Sequence, residues 1–206
     1  MFITDVDMFV KTLLTIVVVS VSIMLFALSS PVTSHQPIIR PDVNVDSISW
    51  SYGIYTPKNL TLTIIRSKNV MYLSVNDYIV REIIVSTGSG DSLIDSRDTT
   101  HIWHFVTPPG RYRVVRRETN PIWIKPDWAF IETGDSVPDS LDFVSRSQEG
   151  MLGAYAFYLG SGYAIHGTPY ENLLGRSVTH GCVRVGKDDL EFLWRYVNIG
   201  TRVVIQ

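Results

Sequence analysis

Period-two alternation over several short runs constrains this chain more than any other feature. Leu60-Thr-Leu-Thr-Ile-Ile65 alternates, as do parts of Val70-Met-Tyr-Leu-Ser-Val75 and Ile79 to Val85, and all three are rich in β-branched or aromatic residues. Successive side chains on a strand point to opposite faces, so these runs predict strands with one buried face. Asn76-Asp77, between the second and third runs, is a turn signal that predicts a hairpin. Thr107-Pro-Pro-Gly110 is a second turn, launching the alternating Arg111-Tyr-Arg-Val-Val115. Ala154-Tyr-Ala-Phe-Tyr-Leu159 and Tyr163-Ala-Ile165 flank Gly160-Ser-Gly162, again a hairpin pattern, which puts His166 at a strand end. Thr201-Arg-Val-Val-Ile205 reads as a final strand.

A helical period is persuasive in one soluble segment. From Lys187 to Val197 the apolar residues Leu190, Leu193, Trp194 and Val197 recur at helical spacing, and Asn198-Ile-Gly200 stops the run. Asp188 and Asp189 fall in the first turn, where the helix dipole favours negative charge. The predicted fold class is therefore mainly β, mostly antiparallel, with one helix after the cysteine loop. Asp127 to Gly150 is polar and lacks periodicity, and is expected to be a long surface loop able to overhang a site.

The N-terminal segment has a different character. Thr12 to Leu28 carries no charge over seventeen residues, and Ser29 and Ser30 extend it. That length just reaches the ~17 to 25 residues of a spanning helix. A cleaved signal favours a positive start, whereas here Asp5 and Asp7 stand against Lys11, and Pro31 crowds a cut after Ser30. Residues 1–30 are thus expected to be a signal anchor or a signal peptide, residues 31–47 a linker, and residues 48–206 one domain of ordinary size. The chain is expected in the cell envelope, on the periplasmic or extracytoplasmic side, touching the membrane through residues 12–30 if that segment is uncleaved. A net charge of −2 without Lys/Arg clusters argues against a nucleic-acid partner, which needs a basic face.

The only cysteine, Cys182, lies sixteen residues after His166. A lone thiol cannot staple an exported fold, so it is either an inert buried residue or a chemical one. Thiolate is the nucleophilic form, and at an ordinary pKa of ~8.5 a catalytic cysteine needs a histidine or similar group to activate it. His166 and His180 are the candidates. No Asp or Glu lies within His166 to Thr168 or Thr179 to Arg184, so a backbone carbonyl is the economical partner for the second ring nitrogen. Gly181 gives the backbone freedom to turn, and N–H groups around it can face a developing oxyanion. Arg184 offers a planar fork for a substrate carboxylate, or a surface ion pair. Zinc held by His166, His180 and Cys182 is the competing reading, although the close ligand pair usual in structural sites is missing. A papain-like order fits poorly, because there the cysteine precedes the histidine by a long interval.

The match of His166-Gly-Thr168 and then Thr179-His180-Gly181-Cys182-Val183-Arg184, with Gly167 to Val178 filling the interval, resembles the L,D-transpeptidase catalytic domain family, also called YkuD or ErfK/YbiS/YcfS/YnhG. The family signature is His-spacer-[Ser/Thr]-His-Gly-Cys-x-[Arg/Asn]. Ser86-Thr-Gly88, Thr107-Pro-Pro-Gly-Arg-Tyr112 and Gly200-Thr-Arg-Val-Val-Ile205 resemble further family segments, so the likeness runs from Ile48 to Gln206. One departure is Glu149-Gly-Met-Leu-Gly153, where the family commonly has Asn-Pro-[Leu/Met]-Gly.

The resemblance implies a β-rich fold whose cysteine attacks the bond between the third residue and D-Ala of a peptidoglycan tetrapeptide stem. D-Ala leaves, a thioester forms, and an amine resolves it as a 3→3 cross-link or as attachment of a protein to the wall. It implies Cys182 as nucleophile, His166 as base and the Gly167 carbonyl as its orienter. His180 and Gly181 would shape the nucleophile loop and oxyanion hole, with Arg184 and Thr179 at the substrate. Peptidoglycan stem peptides are the implied partners, no metal or organic cofactor is implied, and carbapenems are implied acylating agents. Water as acceptor, giving an L,D-carboxypeptidase or hydrolase, and a non-catalytic wall-binding protein are the alternatives.

Overall fold

The alternating runs are strands β1 (Leu60–Ile65), β2 (Val70–Val75) and β3 (Tyr78–Gly88), paired as an antiparallel meander. Leu60, Leu62 and Ile64 are buried while the residues between them are partly open, which is the one-sided burial that the period of two predicts. The register carries that face across the sheet: Ile64 lies opposite Met71, and Met71 opposite Ile83. Asn76 and Asp77 both have left-handed φ, 49° and 68°, which is the backbone of a tight hairpin turn whose twist matches that of the strands.

This computed structural model describes residues 59–206. The expected signal or anchor in residues 1–30, the linker in 31–47 and the start of the domain from 48 lie outside the described residues. Among the described residues no helix is long and apolar enough to cross a membrane. The further strands are β4 (Ser92–Ile94), β5 (Ile102–His104), β6 (Gly110–Arg113), β7 (Arg116–Thr119), β8 (Trp123–Ile124), β9 (Ser147–Gln148), β10 (Tyr155–Gly160), β11 (Tyr163–His166), β12 (Ser177–Thr179), β13 (Val183–Val185) and β14 (Arg202–Ile205). The helices are α1 (Asp127–Thr133), α2 (Phe143–Arg146) and α3 (Lys187–Tyr196).

The main sheet runs in the order β6-β14-β1-β2-β3-β13-β11-β10-β7, with β12 pairing β3 beside that path, while β4/β5 and β8/β9 are separate ribbons. Most pairs are antiparallel, as the alternation predicts, but β1/β14, β11/β13 and β3/β12 are parallel. The parallel pairs matter most for function, because they bring segments distant in sequence side by side.

α3 covers the core face. Leu190 and Leu193 are buried there, and Trp194 stacks on Tyr155 of β10 with ring centroids 4.5 Å apart. Each such fully buried apolar side chain contributes roughly 1.5–3 kcal/mol through removal from water.

The segment expected as a long surface loop, Asp127 to Gly150, is instead structured, carrying α1, α2 and β9, which pairs β8. α1 spans seven residues and buries only Phe130, too little to print a helical period on the sequence. Tertiary ion pairs replace that signal: Asp127 bridges Arg97 at 2.8 Å and Arg146 at 2.9 Å. Gly134 ends the helix in the left-handed conformation, its N–H donating back to the Ile131 carbonyl.

Candidate active site

β11 and β13 run parallel, pairing Ile165 with Val183 and His166 with Arg184. Ile165, Val183 and Val185 are buried in the core, so Ala164, His166 and Arg184 belong to the opposite face. Cys182 immediately precedes β13, one pleat from Val183, and its Sγ is 3.8 Å from the Gly162 carbonyl at the turn before β11. Two neighbouring strands and the residue that precedes the second thus gather Ala164, His166, Cys182 and Arg184, up to twenty positions apart in sequence.

His166 is 4% exposed, and its Nδ1 lies 2.6 Å from the Gly167 carbonyl. A carbonyl only accepts, so Nδ1 carries the hydrogen and donates it, which leaves Nε2 as the basic nitrogen of the neutral ring. Burial pushes the imidazole down to about 4; the Gly167 carbonyl opposes that shift and the Arg184 charge adds to it. Cys182 moves the other way. Burial pushes its thiol above the ordinary value, while a hydrogen bond from the Ala164 backbone and the charge of Arg184 favour the thiolate. At neutral pH the pair therefore rests as thiol and neutral imidazole. Burial moves the two groups in opposite directions, so both shifts disfavour a resting thiolate–imidazolium pair.

The orienting carbonyl is fixed by backbone contact. Gly153 has φ +67°, and a Cβ on it would sit 2.7 Å from the Gly167 Cα and 3.1 Å from its carbonyl carbon. A Cβ on Gly167 would meet Leu190 at 2.9 Å and the Gly153 Cα at 3.0 Å. The Glu149-to-Gly153 segment, which departs from the family pattern, keeps the glycine that this approach requires.

The loop before Cys182 is braced from within and from outside. The Thr179 hydroxyl donates to the Cys182 carbonyl at 2.6 Å and accepts the Gly181 N–H at 3.1 Å. Thr179 is 2% exposed, and these two bonds make it an internal tie of the loop. The Gly181 N–H is likewise occupied. Thr107, also 2% exposed, donates from Oγ1 to the Gly181 carbonyl and accepts the Gly88 N–H, both at 2.8 Å. A peptide group is planar and trans, so fixing the Gly181 carbonyl toward Thr107 aims the Cys182 N–H in the opposite direction. Gly181 itself has φ +124°, and a Cβ there would meet Tyr163 at 2.9 Å and the Val106 carbonyl at 3.0 Å.

His180, the other candidate partner, is engaged by α1. Its Nε2 is 3.0 and 2.9 Å from the two carboxylate oxygens of Glu132, and its ring stacks on Trp128 with centroids 4.0 Å apart. Arg184 is partly buried, and the groups that bear on its charge are Cys182 and Tyr170 rather than a carboxylate. Burial lowers its pKa without neutralising a guanidinium. Among the described residues no group of three or more metal-ligating side chains is assembled. Thr107, Gly153, Trp128 and Glu132 escaped the reading of the sequence as site residues. The Thr-Pro-Pro-Gly turn and the retained glycine were the signals for the first two; α1 had none.

A family model described as the L,D-transpeptidase catalytic domain, YkuD, matches residues 60–205. The chain is 36% identical over 94 residues to the Escherichia coli K12 protein named probable L,D-transpeptidase YbiS, a match covering 44% of this chain and 30% of the relative. It is 37% identical over 95 residues to probable L,D-transpeptidase ErfK/SrfK of the same organism, covering 45% and 30%. Putative L,D-transpeptidase YqjB of Bacillus subtilis is 30% identical over 106 residues, covering 48% and 52%. The matches thus span about a third of the two Escherichia coli relatives and about half of the Bacillus one. In fold, the L,D-transpeptidase (residues 123–326) of Xylanimonas cellulosilytica superposes with a TM-score of 0.53 at 22% identity, covering 72% of this chain and 61% of that one. An L,D-transpeptidase of Mycobacterium smegmatis superposes with a TM-score of 0.51 at 18% identity, covering 72% and 58%. With its sheet, its histidine-to-cysteine loop and a model match over most of its length, the chain belongs to the YkuD family of L,D-transpeptidase catalytic domains.

Proposed function

We propose that this chain is a cysteine-dependent acyltransferase of peptidoglycan, acting on tetrapeptide stems in the cell envelope. The observation that carries the proposal is the Nδ1 hydrogen bond from His166 to the Gly167 carbonyl beside the strand headed by Cys182, because it leaves Nε2 as a base on the cysteine's face. Nε2 takes the thiol proton as Sγ attacks the carbonyl before D-Ala. The resulting oxyanion is met by the Cys182 N–H, the Gly181 N–H being occupied by Thr179. Collapse expels the D-Ala amine, which takes the proton from His166 and leaves a thioester on Cys182. An acceptor amine then attacks the thioester and passes its proton through His166 to the departing thiolate, so a new amide forms and the enzyme is regenerated. Arg184, on the same face, is a fork for a substrate carboxylate.

The charge-free N-terminal run fits export, with residues 12–30 retained as an anchor or removed as a signal, residues 31–47 as linker and 48–206 as the catalytic domain. The test is incubation of the full chain with tetrapeptide muropeptides, followed by mass spectrometry of the products. Cross-linked dimers together with free D-Ala support the transferase, and the Cys182→Ala chain should yield neither. Tripeptide monomers alone would make water the acceptor and overturn the transferase assignment.

A further inference from the structure

Trp128 and Glu132 are four residues apart on α1 and so share a helix face. That face meets the nucleophile loop at His180. The Trp128 ring stacks on the imidazole at 4.0 Å and 16°, while Phe105 closes its edge at 4.3 Å and 76°. Glu132 takes the remaining freedom: its carboxylate only accepts, so His180 Nε2 carries a hydrogen and donates to it at 2.9 to 3.0 Å. Position, rotation and tautomer of the ring are all set by α1 and Phe105.

α1 is in turn a fixed post. Asp127 is held by Arg97 and Arg146, and Arg146 is 5% exposed with its guanidinium donating to the carbonyls of Lys125, Pro138 and Asp139. Phe130 is buried beneath Lys125 and Arg146. The residue that follows His180 is Gly181, at φ +124°, a conformation open to glycine, with its carbonyl on Thr107. The nucleophile loop is therefore gripped on one side by Thr107 and on the other by α1.

We propose that Glu132 is a positioning residue of the acyl-transfer reaction: acting through His180, it holds the Gly181–Cys182 peptide so that the Cys182 N–H faces the oxyanion. The inference rests on the reading of Cys182 as the acylated nucleophile. Its signature is a kinetic effect larger than its effect on stability. The Glu132 and His180 side chains are 45% and 25% exposed, and polar contacts this open contribute little to folding.

The experiment compares the full-length wild type with Glu132→Ala and Glu132→Gln. Three quantities are read: the rate of carbapenem acylation of Cys182 by intact mass, the rate of iodoacetamide alkylation, and the melting temperature. Alkylation needs an accessible thiol but no oxyanion donor, so it reports what a structural role alone would move. Glu132→Ala should lower carbapenem acylation roughly 10- to 100-fold, as small misplacements at a reacting centre do. Its alkylation rate should stay within about two-fold of wild type, since the thiol's surroundings are unchanged. Glu132→Gln keeps a carbonyl acceptor for Nε2–H and should recover acylation to within about three-fold. Wild-type acylation in Glu132→Ala overturns the inference. So does a parallel fall of both rates in proportion to lost folded protein, or a Glu132→Gln chain as slow as Glu132→Ala. A wild type that forms no adduct on Cys182 removes the nucleophile assignment and this inference with it, whereas a wild-type adduct with an unaffected Glu132→Ala chain defeats the inference alone.

Discussion

Thr107 is the residue whose replacement most directly tests how the nucleophile loop is built. Valine has nearly the shape of threonine, so Thr107→Val leaves the packing in place and removes one hydroxyl. That hydroxyl serves two partners, donating to the buried Gly181 carbonyl and accepting the part-buried Gly88 N–H, each at 2.8 Å. Water cannot readily replace it at a site 2% exposed. A group left unsatisfied in the interior costs about 1–3 kcal/mol and the part-buried Gly88 N–H somewhat less, so the substitution should destabilise the chain by ~2–5 kcal/mol. With a denaturant dependence of ~2 kcal/mol/M, the urea midpoint should fall by roughly 1–2.5 M. Thr107→Ser supplies the control: it keeps the hydroxyl, loses only a methyl group, and should stay close to the wild type. Activity should follow the same division, because the Gly181–Cys182 peptide is released only in the valine variant. Carbapenem acylation of the folded fraction should drop roughly 10- to 100-fold there, short of the loss expected from deleting an oxyanion donor outright. Urea unfolding followed by tryptophan fluorescence, and intact-mass kinetics below the transition, read both quantities. Equal midpoints and equal acylation rates in the valine and serine variants would refute the argument that Thr107 sets the direction of the Cys182 N–H.

The buried His166 predicts a pH dependence of stability. Its folded pKa of about 4 lies below its unfolded value of 6.5, so the unfolded chain binds the extra proton between these values; the contribution is complete above pH 6.5 and is lost as pH falls toward 4. The loss should reach ~3 kcal/mol near pH 4 and be absent from His166→Gln, as urea midpoints across that range will show. Cys182, resting as a thiol with its pKa raised by burial, should be alkylated by iodoacetamide at a rate that climbs steadily from pH 6 to 9; a plateau already established at pH 7 would mean a preformed thiolate–imidazolium pair instead. Gly153→Ala puts a methyl 2.7 Å from the Gly167 Cα at a left-handed φ, so it should lower stability by about 1–3 kcal/mol and slow acylation by displacing the carbonyl that orients His166; wild-type kinetics in a folded Gly153→Ala chain would remove that carbonyl from the mechanism.

What the sequence could disclose follows from where the stabilising contacts lie. β1 to β3 and the β10/β11 hairpin were legible because their contacts are local: the turns at Asn76-Asp77 and at Gly160-Ser161-Gly162 adopt positive φ, and Leu62 and Ile64 alternate with partly open neighbours. α3 was legible because Leu190 and Leu193 are buried on one helical face. Cys182 and His166 were nameable as candidates, yet nothing in a sixteen-residue interval says that β11 and β13 lie parallel, which is the fact that sets them on one face. α1 was illegible for a sharper reason. Its N-cap is Pro126, which provides no side-chain cap, and its seven residues bury only Phe130, so neither the start signal nor the period is present. The segment is helical because Asp127 meets two arginines and because Trp128 and Glu132 find His180 forty-eight residues beyond Glu132. Those same side chains grip the nucleophile loop. A helix with so little cause of its own to form, held to the fold by contacts that end one residue from Gly181, is better explained as part of the loop's support than as packing that happens to lie near it.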